Sequence, residues 1–562
     1  MKYKKILSTT MLAVMAGTLL IGCKKINTFD KTNVNGNNKN NAVELTFYNG
    51  ETEDPWTDPV ALALTEATGV KIKTESGITS DGQKIALMIA EQNYPDLIFT
   101  KDQASYLIDA GALIDLTDLI NEYGPNIKKL YGSEFEKLKY SKEDPSIYML
   151  SAYAVGGTVY STGGTAQLQW DVLKANNYNI PKSLIEYENM IKEYLYAHPM
   201  TEDGLETIGL TLSTTDWHWM ITLGNPAGTI ASGTLNNGQW LIDDNYNAIY
   251  RFRTDKEKEY FRWLNRMYNE GILDPEFATQ THEDYISKIT SGRVLSLLDA
   301  DWDYAEAEKV LKAAGKLGKT YSGLPVTMDE SVKCVTLAYQ GMVTGQGVGI
   351  SNSCKDPVTA IKFLNYICSD EGQVLINWGI EGINYLVDDK GHRYRTSEEI
   401  ERANTDKNYI KTTGVGFHTY PLPSYGSGVE DSTGNTYTPI NKETVIAEYN
   451  KEQKTACKAW GVELLTDIFP QASEFEVPKY SPIWGYSKPT KFNEISSKLD
   501  EISWTGLVSC VISKEVDFDA KYDAMVVELE RNGMYYAEKM LSSIVKDKVS
   551  LISDEKGIAI DE

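Results

Sequence analysis

The sequence predicts an α/β protein of at least two lobes. Two observations carry that prediction. The chain has 562 residues, and single cores stop growing near ~250–300 residues, beyond which chains divide. Strand and helix patterns then alternate from residue 44 to residue 99, the arrangement that builds a parallel sheet through right-handed crossovers. A 42% hydrophobic and 10% aromatic content supplies the apolar side chains for more than one interior.

Taken in order, the chain opens with Lys2, Lys4 and Lys5, followed by an uncharged stretch over 6–22 and then Cys23. A basic start, an apolar middle and small residues before a cut describe a secretory signal. Cys23 directly after Leu20-Ile21-Gly22 resembles a bacterial lipoprotein signal, in which the thiol receives a diacylglyceryl group and becomes the new N-terminus. A retained membrane helix would sit at the short limit of the spanning range. Residues 23–42 are polar and rich in Asn and Lys, a flexible tether.

Leu45 and Phe47 alternate with polar residues over 44–48, giving a strand. A helix through Leu62-Ala63-Leu64 stops at Gly69. Val70, Ile72 and Thr74 form a second strand, 81–92 a helix, and Leu97-Ile98-Phe99 a short buried strand after Pro95-Asp96. In such sheets ligands sit off the carboxyl ends of the strands. Ser183-Leu184-Ile185-Glu186 reads as a capping box, opening a helix with Tyr187, Ile191 and Tyr194 on one face. A helix over 256–270 turns Phe261, Leu264 and Tyr268 inward and stops at Gly271. Asp356-Pro357 opens another, with Ile361, Leu364 and Cys368 in register. Residues 425–440, rich in Gly, Ser and Thr, read as a long loop. "GQGVGI" (345–350) lacks the Lys-Ser/Thr of a phosphate loop and reads as a glycine-rich strand.

The net charge of −24 argues against nucleic acid, whose phosphates would be repelled, and against a basic membrane-docking patch. No CxxC pair occurs among the six cysteines, and the five histidines are scattered without HExxH. No metal or cofactor site is expected on that basis. With Cys23 lipidated, the five remaining cysteines cannot all pair, and they read mainly as small buried apolar residues.

Four blocks carry a family resemblance: "YPDLIF" (94–99), "GALIDLTDLINEYGPNI" (111–127), "NEGILDPEFATQTHEDYISKITSGRVLSLLDADWDY" (269–304) and "DPVTAIKFLNYICSDEGQVLINWGIEGINYLVDDKGHRYR" (356–395). They resemble family 1 extracellular solute-binding proteins, the lipoprotein components of bacterial ABC importers, in their large oligosaccharide-type subgroup. The resemblance implies a type II periplasmic-binding-protein-like fold, two α/β lobes with a ligand cleft between them. Lobe one would span 42–150 plus 326–415 and lobe two 155–322 plus 425–562, with crossings near 148–157, 322–326 and 414–424. It further implies an oligosaccharide ligand, permease partners, a monomer, and a location on the outer face of the cytoplasmic membrane. Relatives carry a calcium-like loop near residues 198–210. This sequence keeps only Glu202, Asp203 and Glu206 around Gly204, and "DDNYN" (243–247) lacks the Gly turn, so structural calcium falls short of a full ligand set.

A sugar presents C–H faces and a rim of hydroxyls. Aromatic planes take the face; carboxylates and amides take the rim. Asp301-Trp302-Asp303-Tyr304 follows a strand over 293–298 and has both, with Trp302 on a turn facing the cleft if a helix begins near Asp303. The plainer reading packs Trp302 between strand and helix. Trp56 stands near Glu51 after the first strand. Of Trp217 and Trp219, two apart, Trp217 is the candidate. Glu381 and Tyr385 flank a Gly pair after a helix. Trp484 and Tyr486 lie on a Pro/Gly-flanked loop, and Tyr153 and Tyr160 are weaker candidates near the first crossing. Three alternatives stay open: a receptor for another solute such as a peptide, a secreted glycosidase built on a carboxylate pair, and a surface sensor in place of an import receptor.

Overall fold

A computed structural model describes residues 42–50, 54–75 and 81–555. Cys23, the signal and tether segments, and Glu51 lie outside the described residues.

Two sheets organise the chain. Strands β1 (Val43–Tyr48), β2 (Val70–Thr74), β3 (Leu97–Phe99) and β4 (Leu150–Ser151) belong to the first. Strands β5 (Thr165–Gln169), β6 (Ile208–Leu210), β7 (Val294–Asp299) and β8 (Tyr321–Leu324) make the second, and β9 (Gly347–Ile350) returns to the first. The first sheet runs β2-β1-β3-β9-β4 and the second β8-β5-β7-β6. β1 pairs in parallel with β2 and β3, as the strand–helix alternation requires. β9 runs antiparallel to β3 and β4. In the second sheet β5 is antiparallel to β8 and β7, and β6 is parallel to β7.

Each sheet has its own core. Leu45, Phe47, Leu64, Leu97, Phe99, Val348, Ile361 and Leu364 pack around the first. Leu168, Trp170, Tyr187, Ile191, Phe261, Leu264 and Leu298 pack around the second, joined by Leu499, Leu507, Tyr522 and Leu541 from the C-terminal helices. The local signals act as chemistry dictates. Asp58 caps the helix Pro59–Thr68, whose end is Gly69 in the left-handed region. Asp356 accepts from the Thr359 amide at the head of Pro357–Ile367. Ser183 caps Leu184–Ala197, but the Glu186 carboxylate accepts from Lys182 N, one residue before the cap. Cys334, Cys368, Cys457 and Cys510 are buried and Cys354 is half-buried, all as free thiols. No described helix is long and apolar enough to cross a membrane.

The chain passes between the sheets over 152–164 and 325–346. A third passage lies beside the first: Val155 N donates to Ser424 O at 2.9 Å and Thr158 N to Ser427 O at 2.8 Å. Gly157 makes this close approach possible. Its φ is +105°, and a Cβ there would lie 2.9 Å from the Gly426 backbone. Gly157→Ala is therefore expected to lower unfolding stability by about 1–3 kcal/mol, read as a drop in the denaturation midpoint at unchanged m-value.

The passages define which sheet ends face each other. β3 and β4 end, and β9 begins, where the chain leaves or re-enters the first sheet. β5 begins, and β7, β6 and β8 end, where it enters or leaves the second. Loops at these two ends therefore border the space between the lobes.

Candidate functional site

In the second lobe the bordering loops are 211–219 after β6 and 300–304 after β7. They bring Trp217 and Trp302 together, ring centroids 6.0 Å apart and planes within 20°. Both rings stay open to solvent, Trp217 at 54% and Trp302 at 59%. The sequence motif placed a helix start near Asp303; the helix begins two residues earlier, as Asp301–Ala313. Trp302 thus lies in its first turn, off the inner stripe of Tyr304, Ala307 and Leu311. Asp301 Oδ2 accepts from Ser161 Oγ of the first passage, and its Oδ1 accepts from the Trp302 amide at 2.9 Å.

Trp217 is held from behind. Its ring stacks on His218 at 3.8 Å, His218 on His282 at 4.0 Å, and His282 on buried Tyr285 at 5.8 Å. Five aromatic rings, starting from Trp302, run from solvent into the lobe. Asp216, with φ +45°, turns the backbone, and its Oδ1 lies 2.6 Å from His218 Nδ1. A wide helical segment follows, including two π-helical stretches, Met220–Gly224 and Ala227–Ser232. This geometry separates Trp217 from Trp219, which is buried against Phe252.

Acidic groups sit beneath the rings. Asp299 is buried and accepts from Tyr285 OH and the Ala300 amide, both at 2.7 Å. Burial pushes its carboxyl well above the usual range, and neighbouring Asp303 adds to the shift. Burial also raises Asp303, opposed by the imidazoles of His282 and His218. His282 is lowered by burial, opposed by the charge of Asp303.

The first lobe contributes a different wall. Tyr153 follows β4, and its ring meets Tyr420 at 6.3 Å and Trp484 at 5.5 Å, edge to face. Tyr420 is 43% exposed and also edges onto Phe99. Tyr153 OH donates to Gln346 Oε1 at 2.9 Å, and Gln346 Nε2 donates to Asp102 after β3. Burial pushes the Tyr153 phenol up to about 12, with the nearby Asp102 charge contributing.

Three candidate rings are corrected by this structure. Trp56 is only 4% exposed, walled in by Phe363 and His418, with its indole N–H donated to Thr65 Oγ1. Tyr304 is 5% exposed because the early helix start turns it onto the inner stripe, against Tyr321. Tyr486 is buried and its hydroxyl accepts from the Ser481 amide. None of the three presents a face to a ligand. Glu381 is exposed and pairs through a β-bridge with Tyr385, whose ring edges onto Trp378. Trp484 is half-buried at Tyr153. In the calcium-like loop Asp203 is ion-paired with Lys316 at 2.8 Å, and Asp243 is held by the turn amides of Asn245 and Asn247. Sequence reasoning missed His218, His282, Tyr420, Gln346 and Asp102. The histidines carry no spacing signal, because distant segments bring them together.

Residues 60–379 match the family described as bacterial extracellular solute-binding protein. The chain belongs to that family. This extracellular solute-binding protein is 21% identical to lipoprotein LipO of Bacillus subtilis over 428 residues, covering 74% of this chain and 79% of that protein. It is 22% identical to the fructooligosaccharide ABC transporter substrate-binding protein FusA of Streptococcus pneumoniae, over 42% of this chain and 45% of that protein. Among solved structures, FusA of S. pneumoniae in complex with fructo-nystose aligns with a TM-score of 0.62 at 16% identity, covering 91% of this chain and 99% of that one. An HMO-binding, ABC-transporter-associated solute-binding protein from Bifidobacterium longum infantis aligns with a TM-score of 0.66 at 15% identity, covering 91% and 99%. These likenesses establish the two-lobed solute-binding fold for this chain.

Proposed function

We propose that this chain is a lipid-anchored receptor that captures an oligosaccharide between its lobes and hands it to the permease of an ABC importer, without cleaving it. The observation that carries the reading is the near-parallel Trp217–Trp302 pair, solvent-exposed at the cleft end of the second sheet and flanked by Asp301 and Ser161. Two open indoles beside hydrogen-bonding groups match the faces and rims of linked sugar rings. The carbohydrate wording in the names of FusA and the HMO-binding protein supports the ligand class. LipO, a lipoprotein, supports anchoring through Cys23. The carboxylates Asp216 and Asp301 beside the rings favour neutral sugars over uronates. Ligand would draw the lobes together through contacts made only in the closed form.

Calorimetric titration of the full chain against a panel of neutral and acidic oligosaccharides tests this. Saturable binding of a neutral glycan with no shortened product on prolonged incubation is expected. Absence of any binding at millimolar sugar would overturn the ligand class, and product formation would overturn the non-catalytic role.

A further inference from the structure

Directly beneath Trp217, two imidazoles and a carboxylate are spaced too widely for hydrogen bonds. His218 Nε2 lies 3.6 Å and His282 Nε2 3.4 Å from Asp303 Oδ1. An N–H···O bond spans ~2.7–3.2 Å. Zinc–ligand bonds of ~2.0–2.2 Å place neighbouring donors of a tetrahedron about 3.3 Å apart. We propose that His218 Nε2, His282 Nε2 and Asp303 Oδ1 form a binding site for a divalent transition-metal ion of the zinc type, at the floor of the cleft.

Three further features support the assignment. His218 Nδ1, the ring nitrogen facing away from Asp303, is backed by Asp216 at 2.6 Å. Such outer partners orient metal-ligating histidines. The Asp303 side chain is only 4% exposed, so its carboxylate oxygens face protein and not water. Among the described residues no Lys or Arg lies within ion-pair distance of Asp216, Asp299 or Asp303; histidines are the basic groups beside Asp216 and Asp303. A dication would offset that concentration of acid. The two imidazoles lie face to face at 4.0 Å, so sharing an ion requires one ring to turn about its terminal torsion, which is broad for histidine. Two imidazoles with one carboxylate suit zinc and its neighbours, and not calcium, which takes an all-oxygen shell. His282 is 28% exposed, which gives the ion a way in.

The other His/Asp cluster provides the contrast. His418 Nε2 is 2.9 Å from Asp58 Oδ2, hydrogen-bond distance, and a single imidazole there serves two carboxylates, Asp54 and Asp58. There the imidazole is already engaged by a carboxylate at hydrogen-bond distance.

The test uses the full chain without a polyhistidine tag, stripped with a chelator and titrated with zinc chloride by calorimetry. A parallel titration with cobalt(II) is followed by visible absorption. One equivalent of zinc and the intense bands of tetrahedral cobalt are expected. His282→Gln should weaken zinc binding more than a hundredfold and Asp216→Asn ten- to hundredfold, while His418→Gln leaves it unchanged. His282 opens its helix at a half-exposed position, so its variant should fold; if its melting curve shows otherwise, Asp216→Asn and the cobalt spectrum decide. Absence of stoichiometric zinc, octahedral cobalt bands, or unaltered affinity in the Asp216 and His282 variants would overturn the proposal. None of these readouts depends on sugar binding.

Discussion

Replacing Trp217 and Trp302 together by alanine is expected to weaken glycan binding by about a thousandfold while leaving the melting temperature within a degree or two. The size follows from area. A tryptophan offers ~150–250 Å², of which these two expose a little over half, so a bound sugar covers roughly 100 Å² of each ring. At ~25 cal/mol/Å² that is about 2.5 kcal/mol per ring, and the ~5 kcal/mol of the pair, reduced by the cost of ordering the sugar, leaves the ~4 kcal/mol of a thousandfold change. The stability half of the prediction follows from the same exposure, since rings more than half in water leave no enclosed cavity when removed. Single variants should show unequal losses. Trp217 is braced by the His218 stack and loses little freedom on binding, whereas Trp302 rests on a helix turn. Titration with the best glycan of the panel, paired with thermal melting, measures both. A double variant that binds within threefold of the parent would move the ligand platform elsewhere, to the Tyr153–Tyr420–Trp484 wall first.

What could be read from the sequence, and what could not, divides by range. The alternation of Leu45 and Phe47 and the short Leu97-Ile98-Phe99 run fixed two strands, because period-two burial is a local property. Gly69, Asp356 and Ser183 marked helix ends through their own side chains or lack of one. Trp302 stood out because charged neighbours seldom accompany a core indole. A two-residue error in the start of its helix was enough to bring Tyr304 into the core, since two steps on a helix turn a side chain by more than half a circle. Trp56 looked like a cleft residue because acids surround it in sequence. Asp54 and Asp58 instead hold His418, which arrives from a distant part of the sequence and closes over the indole. The histidine pair under Trp217 shows the same limit. The acids nearest these imidazoles in sequence, Asp216, Glu283 and Asp284, are not the carboxylate between them, and Asp303 reaches His218 because β6 pairs with β7.

Arg251→Met is expected to destabilise the fold by about 1–3 kcal/mol, the cost of leaving the buried Gly224 carbonyl without its donor. Arg251 and Glu257 are both buried in the second lobe. The guanidinium donates to Gly224 O and lies over the Phe252 ring at 5.0 Å, while Glu257 Oε1 accepts from Ser232 at 3.4 Å. Together they clamp the wide helical segment that begins just after Trp217, so the loss should also loosen the ring platform and weaken glycan binding. Glu257 provides a pH signature. Burial pushes its carboxyl up from 4.5 to about 7, opposed by the Arg251 charge. The folded state therefore holds this proton to higher pH than the unfolded chain does. The contribution is neutral below the ordinary carboxylate range and becomes destabilising as pH rises from 4.5 through 7. Removing the titration with Glu257→Gln should raise stability over the parent by ~3 kcal/mol at pH 8, shrinking below ~1 kcal/mol at pH 5. Urea denaturation of parent, Arg251→Met, Glu257→Gln and the double variant across this range measures the cycle. The double variant should recover part of the Arg251→Met loss, because it no longer strands a carboxylate. Parallel stability curves for the parent and Glu257→Gln from pH 5 to pH 8 would show that Glu257 titrates alike in the folded and unfolded chain, and would overturn the prediction.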